Sequence, residues 1–168
     1  MAIKPQIGQS SGVVLADFEE VDLKELLKNK DDYKRVVKLF QELDEAEIEY
    51  HRQLHLNWLK YSEKEIKEDL STKIQRLFLA RVNDELVGFA ALGSSDIVKG
   101  AYYITQICVS KDHRGKKIGR GLLNFVFEKT KGMGITLSVT VTNEAGKHLY
   151  EACGFKAIKQ FMWREAPN

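Results

Sequence analysis

Apolar and polar positions along this chain follow two periods, one of about two residues and one of about 3.6. Residues 77–82 (LFLARV) and 86–92 (LVGFAAL) are short apolar runs flanking the polar stretch Asn83, Asp84 and Glu85, which predicts a β-hairpin. Residues 102–109 (YYITQICV) are rich in β-branched and aromatic side chains and predict a buried strand. At 135–141 (ITLSVTV) the alternation is strict, with Ile135, Leu137, Val139 and Val141 on one face and hydroxyls on the other, so one buried face is expected. Further strands are predicted at 13–18 and 155–163. Helical spacing relates Val36, Leu39, Phe40 and Leu43 in a helix from Asp31 toward Tyr50. It also relates Ile118, Leu122 and Val126, with Leu123 and Phe127 beside them, in a helix over 118–131. Start signals support three more helical segments: Asp22 before 22–28, a Ser62–Glu65 capping box opening 62–70, and Asn143 before 143–153, which Gly154 ends. Strands and helices therefore interleave in one α/β domain over 12–168, behind a flexible leader at 1–11 that holds Pro5, Gly8 and two serines.

Composition narrows the partners. A chain of 168 residues suits a single core, and 43% hydrophobic with 30% charged residues is ordinary for a soluble globular protein. No apolar stretch is long enough to span a bilayer and no signal-peptide pattern opens the chain, so no membrane role and a cytoplasmic location are expected. Cys108 and Cys153 lack paired spacing and read as reduced, buried thiols. His51 and His55 lie four apart without the glutamate of a zinc-binding helix, so no metal is expected. The net charge of +2 hides an asymmetry: residues 1–75 carry 16 acidic and 12 basic side chains, residues 76–168 carry 8 and 14. A basic half suits an anionic cofactor and an acidic half a cationic substrate. The basic residues are not interleaved with stacking aromatics, which argues against nucleic acid. The acidic run Glu42, Asp44, Glu45, Glu47 and Glu49 reads either as a solvated helix face or as the border of an amine pocket that His51, His55, Trp58 and Tyr61 continue.

The densest chemistry lies between the strand at 102–109 and the helix that starts at Ile118. Strand, glycine loop and helix start form an anion-binding arrangement, because the first helical turn has unpaired amides and positive potential. Gly115 and Gly119 remove side chains that would hold a phosphate off the backbone, and Lys111, Arg114, Lys116, Lys117 and Arg120 add charge. The P-loop spacing is absent, and the dinucleotide pattern begun at Gly119 and Gly121 fails at Asn124.

Arg114-Gly-Lys-Lys-Ile-Gly119 resembles the R/Q-x-x-G-x-G/A signature of the GNAT family of N-acetyltransferases, with Lys117 where the first glycine of that signature falls. The segment from Asn143 through Leu149-Tyr150-Glu151 to Gly154-Phe155 is similar to the family's second motif, and the strand–helix plan matches from about residue 12 to 163. The resemblance implies a GNAT fold: a mixed, mostly antiparallel central sheet flanked by helices, whose middle strands, 102–109 and 135–141, splay apart. It implies acetyl-coenzyme A as co-substrate, with its pantetheine arm on the backbone of Ile107, Cys108 and Val109. Its pyrophosphate would lie on Arg114, Gly115, Lys116, Lys117, Ile118, Gly119 and Arg120, and Asn143 would also contact the cofactor. The implied reaction is direct acetyl transfer to a primary amine through a tetrahedral intermediate, with Tyr150 as proton donor to the leaving thiolate. Many relatives carry a carboxylate on the strand before the loop; here Thr105 and Gln106 stand there, leaving ordered water, Glu49, His51 or His55 as routes for proton removal. Charge favours a small cationic acceptor such as a polyamine or aminoglycoside, with a protein or peptide amine still open. A non-catalytic acyl-coenzyme A sensor of the same fold is the alternative, and homodimers are common among relatives.

Overall fold

A computed structural model describes residues 15–164. The leader expected at 1–11 and the start of the strand expected at 13–18 lie outside them. In chain order the elements are β1 (Asp17–Val21), α1 (Leu23–Lys28), α2 (Lys30–Arg52), α3 (Glu63–Thr72), β2 (Arg76–Val82) and β3 (Glu85–Ser94). β4 (Tyr102–Val109), a 3-10 turn (Lys111–His113), α4 (Ile118–Lys129), β5 (Ile135–Thr136) and α5 (Glu144–Ala152) follow. The sheet order is β1-β2-β3-β4-β5, antiparallel until the last pair, which is parallel.

Local chemistry sets these boundaries. The side chains of Asp22, Ser62 and Asn143 accept from first-turn amides of α1, α3 and α5, and Ser62 with Glu65 forms a full capping box. The β2–β3 turn is two residues long, Asn83 and Asp84, with φ of 50° and 66°. Positive φ at both positions gives a primed turn whose twist matches the strands.

Burial alternates along the strands to feed two layers. Leu77, Leu79, Phe89 and Cys108 point toward α1–α3, meeting Leu26, Val36, Leu39, Phe40, Ile66 and Leu70, with Phe40 stacked on Phe89 at 4.6 Å. Phe78, Ala80, Val87, Ala90 and Ile104 point the other way, onto Ile118, Leu122, Leu123 and Val126 of α4. β3 is buried from Leu86 to Gly93 because both layers and both neighbouring strands cover it.

Four expectations need correction. β1 sits later than 13–18, because its register pairs Asp17 with Arg81 and Val21 with Leu77. The helix expected to reach 131 stops at Lys129, where the Thr130 hydroxyl turns back onto the Val126 carbonyl at 2.7 Å. The strand expected at 135–141 forms a ladder only at Ile135 and Thr136, opposite Tyr102 and Tyr103. Beyond that point the Thr140 hydroxyl donates to Glu47 Oε2 (3.1 Å) and the Thr142 hydroxyl to the Tyr50 carbonyl (3.0 Å). The Ser138 hydroxyl still meets that of Tyr103 on β4, and past it the segment leans on α2. The strand expected at 155–163 forms no ladder, and Ile158, Phe161, Met162 and Trp163 are exposed: a strand needs a long enough edge to pair with, and β5 is two residues long.

The contact between α4 and β1 gives a stability test. A Cβ on Gly121 would lie 2.5 Å from the tip of the Phe18 ring. Gly121→Ala is therefore expected to destabilise the fold by about 1–3 kcal/mol through overpacking, against a helix-propensity gain of about 1 kcal/mol. Urea denaturation checks this, and adding Phe18→Leu is expected to restore part of the loss.

Candidate active site

β4 has unequal edges. Along β3 it is paired from Tyr102 to Val109, with an irregularity that leaves Thr105 as the extra residue; its hydroxyl donates to the Ala91 carbonyl at 3.1 Å. Along β5 the ladder ends at Tyr103. The Ser110 amide donates to Val87 in β3 (2.8 Å), so by strand alternation the polar groups of Cys108 face β3 and those of Val109 and Ile107 face the open edge. Arg114 Nε confirms this direction by donating to the Val109 carbonyl at 3.0 Å. Of the backbone expected to meet a cofactor, Ile107 and Val109 present polar groups toward it, whereas those of Cys108 are spent on the ladder. The Cys108 thiol is buried, and burial pushes it up to about 11, so it is no nucleophile at neutral pH.

The turn after β4 ends at this open edge. Gly115 has φ +75° and Lys117 φ +63°, the latter serving as the N-cap of α4. No heavy atom lies within 4 Å of a Cβ built on Gly115, so backbone conformation, not crowding, calls for glycine there. Gly119 has another reason: its Cβ would meet Leu149 of α5 at 3.3 Å, so it lets α5 pack closely on the start of α4. The first intrahelical bond of α4 runs from the Gly121 amide to Lys117 (3.0 Å), and no side chain caps the helix. The amides of Ile118, Gly119 and Arg120 thus have no intrahelical acceptor.

The basic side chains around this turn divide into two sets. Lys111 is held by Glu45 at 2.6 Å, and its amide donates to Glu42 at 3.0 Å; the carboxylate beside it raises the ammonium's pKa and the ammonium lowers that of Glu45. Lys111 therefore leaves the set expected to meet an anion. Lys116 Nζ rests on the Asp112 carbonyl (2.8 Å) and Arg120 on the Ala152 carbonyl at the end of α5 (2.9 Å). With Arg114 on Val109, these three cations are oriented by backbone oxygens, and among the described residues none has a carboxylate partner.

The other wall comes from α5 and α2. The carbonyl oxygen of Asn143 is committed to the Gly146 amide at 2.8 Å, leaving only its NH2 group for any cofactor. Tyr150 packs against Phe155, with ring centroids 5.9 Å apart. Burial first, then the nearby Glu47, Tyr103, Tyr50 and Cys108, pushes its phenol up to about 12. The hydroxyl stays protonated throughout the neutral range, as a proton donor must.

The acidic run on α2 is not one solvated face. Asp44 is buried, accepting from Trp58 Nε1 (3.2 Å) and the Tyr61 amide (2.8 Å). Glu47 is half-buried beside Thr140 and His51, whereas Glu49 turns outward to Arg52 at 2.6 Å and His55 is exposed at φ +56°. Of the three side chains considered for proton removal, only His51 lies beside Glu47, whose carboxylate is near the Tyr150 phenol. Sequence reading did not single out Glu47, and its five-residue acidic setting gave no signal of inward direction. Gln106 has a buried side-chain oxygen without a hydrogen-bond partner, a spare acceptor on the α2 side of β4. Among the described residues no group of three or more His, Cys, Asp or Glu side chains is placed to hold a metal, and no helix is long and apolar enough to cross a membrane.

The sequence matches the Acetyltransferase (GNAT) family over residues 34–155. Among curated proteins none matches the chain. Solved structures share its fold. An aminoglycoside acetyltransferase from an uncultured soil metagenomic sample, solved with sisomicin, aligns with TM-score 0.61 at 14% identity, over 91% of this chain and 96% of that one. The ribosomal-protein-S18-alanine N-acetyltransferase of Escherichia coli aligns with TM-score 0.58 at 19% identity, over 86% and 80%. An aminoglycoside N-acetyltransferase in complex with CoA aligns with TM-score 0.64 at 16% identity, over 94% and 99%.

Lys117 carries the clearest backbone strain of the turn. A non-glycine residue in the left-handed region costs about 1–2 kcal/mol. Lys117→Gly is expected to recover about 1 kcal/mol, raising the melting temperature by about 2–4 °C. Calorimetric melting checks it; an unchanged or lower melting temperature would show that the lysine is held there by contacts that offset the strain.

Proposed function

Because the chain belongs to the GNAT acetyltransferase family, we propose that it is an acetyl-coenzyme A-dependent N-acetyltransferase whose acceptor is a primary amine, a small cationic one in the first instance. The observation that carries this reading is the open edge of β4 running into the positively charged, uncapped start of α4, with Tyr150 on the opposite wall. These groups fit the cofactor. The Ile107 and Val109 backbone offers hydrogen bonds to an extended amide-bearing arm, and the free amides of Ile118, Gly119 and Arg120, with Arg114 and Lys116, suit a pyrophosphate.

Acetyl-coenzyme A supplies the acetyl group activated as a thioester. The chain's own residues orient it, meet the charge that develops and move protons. Val109 N–H faces the open edge, where it can donate to the carbonyl oxygen as negative charge builds on it. The amine nitrogen attacks the carbonyl carbon, the carbon–sulfur bond breaks, and Tyr150 gives its hydroxyl proton to the departing sulfur. A proton from the acceptor nitrogen then returns to the Tyr150 oxygen.

The cationic acceptor is supported by the setting of Glu47. Its carboxylate lies near the Tyr150 phenol, as do Tyr50 and Tyr103, and negative charge among aromatic side chains suits an ammonium group. The acidic first half of the chain points the same way, and two of the structural neighbours are named for aminoglycosides, which are polycationic amines.

Thiol release from acetyl-coenzyme A against polyamines, aminoglycosides, amino acids and short peptides tests the proposal. Amine-dependent release is expected, strongest with a polyamine or aminoglycoside. Tyr150→Phe is expected to lower kcat about 10²-fold with cofactor affinity unchanged, the usual worth of one general acid. Tight cofactor binding with no release on any amine would favour the sensor; wild-type rates in Tyr150→Phe would remove the tyrosine from the chemistry.

A further inference from the structure

We infer that His51 is the general base that takes a proton from the acceptor ammonium, oriented by Glu47 and backed by Trp58. The inference rests on the acetyl-transfer reading above and assigns the step that reading leaves open. Thr105 and Gln106 of β4 supply no base at neutral pH.

The geometry fixes the imidazole's tautomer. His51 Nδ1 lies 2.8 Å from the Glu47 carbonyl oxygen, and an oxygen of that kind only accepts, so Nδ1 carries the hydrogen. The lone pair of the neutral ring is then on Nε2, free to receive a proton. The Glu47 carboxylate stands 3.5 Å from the same Nδ1, and both side chains are largely withdrawn from water, at 17% and 19% exposure. When Nε2 is protonated, the new positive charge faces that carboxylate across a partly desolvated gap, where attraction is stronger than in water. Carboxylate, Nδ1–H and free Nε2 repeat the logic by which an orienting acid sets a histidine base in other enzymes.

Trp58 completes the support. Its ring lies on His51 at a centroid distance of 4.5 Å, offering a π face to the imidazolium, and its Nε1–H is anchored on buried Asp44. Asp44, Glu47 and His51 recur at helical spacing along one face of α2, which makes the arrangement a product of the sequence and not of a chance rotamer. Charged and titratable groups around the pair are few. Asp44 accepts from the indole, Glu47 lies near the Tyr150 phenol of α5 together with Tyr50 of α2 and Tyr103 of β4, and Glu49 pairs with Arg52 on the outer face. Thr140 ties Glu47 to the segment after β5 and so to the edge of the cleft.

The step balances. The ammonium N–H bond breaks with its electron pair left on nitrogen, a bond forms between that hydrogen and His51 Nε2, and the freed pair attacks the thioester. His51 passes the proton to water, which accounts for the net proton of the overall reaction.

The test is the pH profile of kcat/KM for the wild type, His51→Gln and Glu47→Gln, with acetyl-coenzyme A and the best amine of the panel. Cofactor affinity and melting temperature are measured on each protein. His51→Gln is expected to lower kcat about 10²-fold at neutral pH and to lose the acidic limb of the profile, with cofactor affinity unchanged. Glu47→Gln keeps a side-chain acceptor for Thr140 but loses the charge beside the ring. It is expected to lower kcat/KM in the wild-type background and to add no further loss to His51→Gln, a coupling that a purely structural role would not show. A wild-type limb in folded His51→Gln, or a wild-type kcat/KM in Glu47→Gln should the histidine variant not fold, would overturn the assignment while acetyl transfer stood. A wild type without amine-dependent thiol release would overturn both.

Discussion

β4 is paired along one edge at every residue but the bulged Thr105, and along only its first two residues on the other. Backbone amides and carbonyls are obligatory hydrogen-bonding groups, so a stretch left open inside a fold must be met by water or by a ligand. Two features keep it open here. The bulge at Thr105 bends β4 just where β5 would have to continue, and Thr140 and Thr142 give their hydroxyls to α2. The parting of the strands and the placing of Glu47 are therefore one event: the contact that takes the chain away from β4 also fixes a carboxylate at the cleft.

The positive end of the cleft depends on the same strand. Arg114 folds back onto the Val109 carbonyl and Arg120 onto the end of α5, so the cations are aimed by the backbone they decorate. Without a carboxylate partner, their charge is available to an anion beside the free amides of α4. Lys111, by contrast, is consumed in fastening the loop to α2. Lys111 and Lys116, alike in the sequence, thus differ in setting: one is paired with a carboxylate and the other rests on the Asp112 carbonyl.

Much of this was legible in the sequence because it is local. Asp22, Ser62 with Glu65, and Asn143 each cap the helix they precede, and the strands at 77–82, 86–92 and 102–109 lie where their apolar runs are. The turn from Arg114 to Gly119 leads into α4 as its glycine spacing requires, and Lys117 adopts the left-handed conformation that explains why glycine is usual in that place. What was not legible is what depends on a distant partner. The alternation at 135–141 describes a face and not a neighbour, so it could not reveal that the ladder stops at Thr136. Ile158 to Trp163 carry a strand pattern yet stay exposed for the same reason. Asp44 sits in a run of acids that reads as a solvated face or a pocket border; only the return of Trp58 and Tyr61 makes it a buried acceptor.

The central claim is that the open edge of β4 and the start of α4 are a single binding surface for the cofactor. Amide hydrogen exchange with and without coenzyme A reads this directly. Protection gained together at Ile107 and Val109 and at Ile118, Gly119 and Arg120, with little change at Cys108, is the predicted result. Protection that appears elsewhere while these amides exchange as before would contradict it.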